Sequence, residues 1–112
     1  MLNQTILVGR LVKNVEVKDT ETGKKYSNIT LAVPRSYKNM EGKYETDFID
    51  CTLWQGIAEN AEEYCQKGDL LGLKGRIQTS NYEDKEGKRQ YVTQVVAEKI
   101  TFLSSSKNKE EY

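Results

Sequence analysis

Two large aromatic residues and two polar ones alternate within a single short segment, and that mixture is the first sign of chemistry in this chain. In Asp47-Phe48-Ile49-Asp50-Cys51-Thr52-Leu53-Trp54, every second side chain of an extended strand projects to the same face. If Ile49, Cys51 and Leu53 turn into a core, then Phe48, Asp50, Thr52 and Trp54 face outward. A core would not take Asp50, and a plain solvent face would not carry Phe48 and Trp54 together. A surface that stacks nucleobases uses both kinds, because every base has a π face and a stacked ring is worth ~1–3 kcal/mol. The same residues could instead be covered by a helix, a loop or a second subunit.

Other aromatics lie close to cations. Tyr37 stands beside Arg35 and Lys38, and Tyr82 follows Lys74 and Arg76. That interleaving suits a single-strand groove, in which cations hold phosphates while rings stack bases. Taken singly, each of these tyrosines reads better as an exposed loop residue with its hydroxyl in water. Tyr64 fits an apolar helical stripe and is expected in the core; Tyr26, Tyr44 and Tyr91 carry no assignment.

Catalytic parts are missing from the sequence. It has no histidine, no glycine-rich phosphate loop and no acid pair spaced for shared proton transfer, so an enzyme is not expected. Cys51 and Cys65 are too few for a zinc site and read as reduced, buried thiols, and no metal or cofactor is expected. The 112 residues carry 17 basic and 17 acidic side chains. That balance argues against binding a polyanion by bulk charge, but not against a local basic groove. The charges are segregated: Glu59, Glu62 and Glu63 cluster without a base, whereas Arg35 with Lys38, and Lys74 with Arg76, occupy stretches without an acid. No apolar run approaches the ~20 residues of a membrane span. The start Met1-Leu2-Asn3-Gln4 lacks the basic and apolar pattern of a secretory signal, so a cytoplasmic location is expected.

Positioning these residues requires strands. Residues 4–12 read as the first, with Gly9 as a bulge or bend. A polar turn at Thr20–Lys24 precedes a second strand, with Ile29, Leu31 and Val33 on one face. A turn centred on Asn39–Lys43 leads to the third strand, Asp47–Trp54. Ile57, Ala61, Tyr64 and Cys65 then form the apolar stripe of a short helix, with Lys67 in its last turn and Gly68 as its stop. Leu70–Thr79 and Tyr91–Leu103 read as two further strands around a charged hairpin tip at Glu83–Lys88. Three strands, one helix and two strands is the order of the OB-fold, a five-stranded, partly open Greek-key barrel that binds oligonucleotides or oligosaccharides. One domain over residues 1–103 is expected, followed by a polar tail at 104–112.

At this point the text of the chain resembles the bacterial and phage single-stranded-DNA-binding proteins over nearly its whole length. The resemblance is carried by Leu2-Asn3-Gln4-Thr5-Ile6-Leu7-Val8-Gly9-Arg10-Leu11, Ile29-Thr30-Leu31-Ala32-Val33, Asp47-Phe48-Ile49-Asp50-Cys51 and Ala58-Glu59-Asn60. It continues in Lys67-Gly68, Gly75-Arg76-Ile77-Gln78-Thr79, Asn81-Tyr82 and Val92-Thr93-Gln94-Val95-Val96-Ala97. It implies base stacking by Tyr37, Phe48, Trp54 and Tyr82, and phosphate contacts by Arg35, Lys38, Lys74 and Arg76. It further implies a homotetramer, with a dimer as the alternative, and a first strand near Asn3–Val8 that helps pair subunits. Single-stranded DNA would be coated and protected during replication, recombination or repair.

Three departures accompany the resemblance. Gln55 and Ser80 stand where the family often carries bases, which predicts weaker binding and a shallower salt dependence. Pro34 replaces a common asparagine and should end or bend the second strand early. The sequence given stops at Glu110-Glu111-Tyr112 rather than in a long tail with an acidic, phenylalanine-terminated tip, so recruitment of replication proteins through such a tip is not expected. Two other readings stay open: an OB-fold whose aromatic face packs on a protein, and a groove that takes RNA or an oligosaccharide.

Overall fold

Two tight turns of the same design join the longest strands. Asn39 accepts hydrogen bonds at Oδ1 from the backbone N–H groups of Glu41 and Lys43. Asp84 accepts at Oδ1 in the same way from Glu86 and Lys88. Each turn closes through a glycine in the left-handed region, Gly42 at φ +79° and Gly87 at φ +80°, where a side chain would be strained. These turns zip the flanking segments into long antiparallel hairpins.

The computed structural model describes residues 1–104. In chain order the elements are β1 (Thr5–Leu11), β2 (Lys18–Asp19), β3 (Lys25–Lys38), β4 (Tyr44–Trp54), α1 (Gln55–Tyr64), β5 (Leu70–Glu83) and β6 (Arg89–Ser104). The strands follow the order β1-β5-β6-β4-β3-β2, and β1 also pairs with β3, so the five long strands close on themselves. β2 is a two-residue addition to β3. The helix falls between the third and fourth barrel strands, β4 and β5. This is the OB-fold expected from the order of elements.

Closure depends on two close approaches. A Cβ on Gly9 would stand 2.7 Å from the carbonyl oxygen of Ala32 where β1 crosses β3, and one on Gly75 would collide with the carbonyl oxygen of Val96 at the register shift between β5 and β6. The barrel is filled by Leu11, Ile29, Leu31, Leu53, Leu71 and Leu73, and α1 closes one end with Ala58 and Ala61. Cys51 and Cys65 are both buried thiols. Burial, with the Asp50 carboxylate nearby, pushes the Cys51 thiol up to about 12, so it stays protonated and behaves as a small apolar group.

Several expectations need correction. Thr52 is buried rather than outward in solvent, because β6 runs parallel to β4 there, pairing Cys51 with Val95 and Thr52 with Val96. Tyr64 is partly exposed, with its ring 6.0 Å from that of Phe102. The helix ends at Tyr64 with Cys65 as its cap, so Lys67 and Gly68 lie beyond it. β3 does not end at Pro34; it continues to Lys38 across a break in register. β1 is paired to β5 over Thr5–Arg10 and reaches β3 at Arg10 and Leu11, so among the described residues its other edge has no strand partner from Thr5 to Gly9, a stretch that overlaps the Asn3–Val8 segment expected to pair subunits. β6 runs through Ser104, and the remainder of the expected tail lies outside the described residues. Among the described residues, no helix is long and apolar enough to cross a membrane.

Candidate nucleic-acid interface

Strand pairing decides which side chains share a face. β3 and β4 are in register with Tyr26 opposite Trp54, Asn28 opposite Thr52, Thr30 opposite Asp50 and Ala32 opposite Phe48. Directly opposed residues project to the same side of a sheet. The outer face therefore carries aromatic groups at its two ends and polar groups between them. Phe48 is 67% exposed and Trp54 39%. The indole of Trp54 is less open because the ring of Tyr26 lies against it, with centroids 5.6 Å apart and the planes tilted by 38°.

The polar middle is ordered by side-chain hydrogen bonds. The Thr30 hydroxyl donates to Asp50 Oδ1 at 3.0 Å. The Thr52 hydroxyl donates to Gln94 Oε1 at 2.8 Å, with Asn28 Oδ1 at 3.2 Å. Through Gln94 the face extends across β6 onto β5. Gln94 is opposed to Gln78, and Val96, which pairs with Thr52, is opposed to Arg76. Arg76, Gln78 and Tyr82 alternate along β5 on one side, so Arg76 and the exposed Tyr82 belong to the face that holds Phe48 and Trp54. The Arg76 guanidinium donates to Gln78 at 2.9 Å. Beside Phe48 and Asp50 a groove of about 360 Å³ opens between β1, β4 and β6, with Ile77 and Gln94 in its walls.

The remaining expected residues lie on projecting hairpins or further round the barrel. Tyr37 is exposed on the distal arm of β3–β4. Lys38 holds its ammonium 5.7 Å from the centre of the Tyr44 ring, a cation–π distance. Lys74 stands between Ile6 of β1 and Lys99 of β6 in register, away from the β4 aromatics. Arg35 is bound by two carboxylates: its Nη1 lies 2.6 Å from Glu45 and its Nη2 2.9 Å from Asp47. Hydrogen bonding to Asp47, and its charge, hold the guanidinium pKa above its ordinary range, and the same hydrogen bond lowers that of Asp47.

Two aromatics on this surface had no assignment from the sequence. Tyr26 backs Trp54, and Tyr44 is exposed on the same side of β4 as Phe48, beside Lys38. Period-two alternation counted outward from the Asn39–Lys43 turn would have found both.

Comparison with known proteins gives one consistent result. The sequence model of the single-strand binding protein family matches residues 2–103. Single-stranded DNA-binding protein B of Bacillus subtilis (strain 168) is 50% identical over 103 residues, covering 92% of this chain and 91% of that protein. Single-stranded DNA-binding protein 3 of Listeria innocua is 48% identical over 108 residues, covering 96% of this chain and 68% of that protein. Single-stranded DNA-binding protein 1 of Staphylococcus aureus (strain MSSA476) is 50% identical over 103 residues, covering 92% and 66% respectively.

Proposed function

The chain belongs to the single-strand binding protein family, and on that premise we propose that it binds single-stranded DNA without strong sequence preference, by stacking bases on exposed rings. The observation that carries this reading is the outer face of β3–β4, where Phe48 and Trp54 flank a hydrogen-bonded polar strip instead of packing into the core. Bases would stack on Phe48, Trp54, Tyr82 and Tyr37, with Tyr44 as a further ring near Lys38. Phosphates would be met by Lys38 and Arg76, and by Lys74 where the strand passes round the barrel. Binding rather than catalysis is the proposed activity.

The open edge of β1 over Thr5–Gly9, with Ile6 and Val8 exposed, supports self-association, with a homotetramer or a dimer as the assembly. A cytoplasmic location and a part in replication, recombination or repair follow from the same reading. Single-stranded ends and gaps are where such coating is needed.

Fluorescence anisotropy of labelled oligothymidine, titrated with the protein at several salt concentrations, tests the proposal. Saturable binding that weakens with salt and resists competition by duplex DNA, RNA or an oligosaccharide is expected. Equal competition by RNA or by the sugar would move the ligand to that class. An absence of binding by folded protein would favour a protein-covered face.

A further inference from the structure

The backbone ladder of the β3–β4 arm is interrupted partway along. Register pairs run to Pro34–Thr46 and resume at Lys38–Tyr44, so residues 35–37 stand against Glu45 alone. Pro34 brings no N–H to the ladder. Arg35 spans this gap with its side chain. Its Nε and Nη2 both reach the Asp47 carboxylate, at 3.2 and 2.9 Å, and its Nη1 reaches Glu45 at 2.6 Å. Asn39 of the turn adds a hydrogen bond to the other Glu45 oxygen at 3.3 Å. A planar guanidinium that forks onto carboxylates fixes geometry as well as charge.

The clamp lies on the reverse of the arm. Glu45 and Asp47 alternate along β4 with Tyr44, Thr46 and Phe48, so their side chains point away from the side that carries Phe48 and Trp54, while Tyr37, in the unpaired stretch, stands within electrostatic reach of the Arg35 guanidinium. One cation against two carboxylates also leaves the cluster negative, which repels a phosphate. We propose that Arg35 is a positioning residue whose fork on Asp47 and Glu45 holds the unpaired stretch 35–37 so that Tyr37 meets the DNA, and that it neutralises no phosphate itself. This rests on the single-stranded DNA reading above.

The test compares unaltered protein with Arg35→Gln, Asp47→Asn, Glu45→Gln, Tyr37→Ala and the Arg35→Gln/Tyr37→Ala pair. Affinity for labelled oligothymidine is measured across salt, with thermal melts to show that each variant is folded. Exposed ion pairs contribute little to global stability, and Glu45→Gln removes only one arm of the fork. Arg35→Gln and Asp47→Asn should each weaken binding about three- to ten-fold, less than the loss of a whole stacked base. The slope of log affinity against log salt should stay unchanged, and Arg35→Gln should lose most of its effect in the Tyr37→Ala background. A phosphate ligand would behave differently: Arg35→Gln would lower the slope by about 0.7 for a single strand, and Asp47→Asn, by freeing the cation, would tighten binding. Either result overturns the proposal, as does wild-type affinity in all the clamp variants. Failure of the unaltered protein to bind is a distinct outcome; it removes the reading on which the clamp rests, and the clamp with it.

Discussion

Phe48 and Trp54 are exposed aromatics on one face, but they are not equivalent. Phe48 has no ring partner among the described contacts, whereas Trp54 leans on Tyr26. Phe48→Ala should therefore cut affinity for oligothymidine by about 5- to 150-fold, the worth of one stacked base. Its melting temperature should move by less than about 4 °C, as for a surface substitution. Trp54→Ala should give a similar loss of affinity together with a lower melting temperature, because an aromatic pair worth about 0.5–1.5 kcal/mol goes with it. Parallel titrations and melts of the two variants check the contrast. At this scale the sequence was informative where alternation rules, as in Phe48 and Trp54 facing out against Cys51 and Leu53 facing in. It was silent where a third strand intervenes: the burial of Thr52 depends on β6, which is more than forty residues away in the chain. The pairing of Arg35 with Asp47 also needs the break in register, which no local pattern announces.

At the scale of elements, both hairpin turns were legible, because Asn39 and Asp84 with a glycine three residues on are the chemistry such turns require. The junction of β4 with α1 was not. Gln55 takes φ +51°, among the described residues the one left-handed position that is not glycine, and nothing in its neighbourhood advertises that. It follows Trp54 directly and turns the chain from strand into helix, so the orientation of the indole depends on a strained residue. Gln55→Gly should be neutral or stabilising by up to about 1 kcal/mol, since glycine enters this region freely. Gln55→Val should destabilise by about 1 kcal/mol or more, because a β-branched side chain is poorly tolerated there. Denaturant melts of the two variants in parallel test this; equal stabilities would contradict the strain.

At the scale of the molecule, balanced charge and nucleic-acid binding are compatible because the fold sorts what the composition averages. Acidic Glu59, Glu62 and Glu63 go to the helix, while Lys38, Arg76 and the rings go to the hairpins and the outer face. The order of elements was enough to read the barrel, because a single helix between the third and fourth long strands leaves few ways to close a sheet. How closely β1 crosses β3 at Gly9 was not readable, since a glycine there could equally have marked a bulge. Trp54 is the single tryptophan of the chain, which makes its fluorescence a reporter of one position on the face. The most direct test follows that fluorescence while oligothymidine is added at low and at high salt, with duplex DNA as control. Strong quenching by the single strand, weaker at high salt and absent with duplex, is predicted. Unchanged emission from folded protein at saturating oligothymidine would contradict base stacking at Trp54.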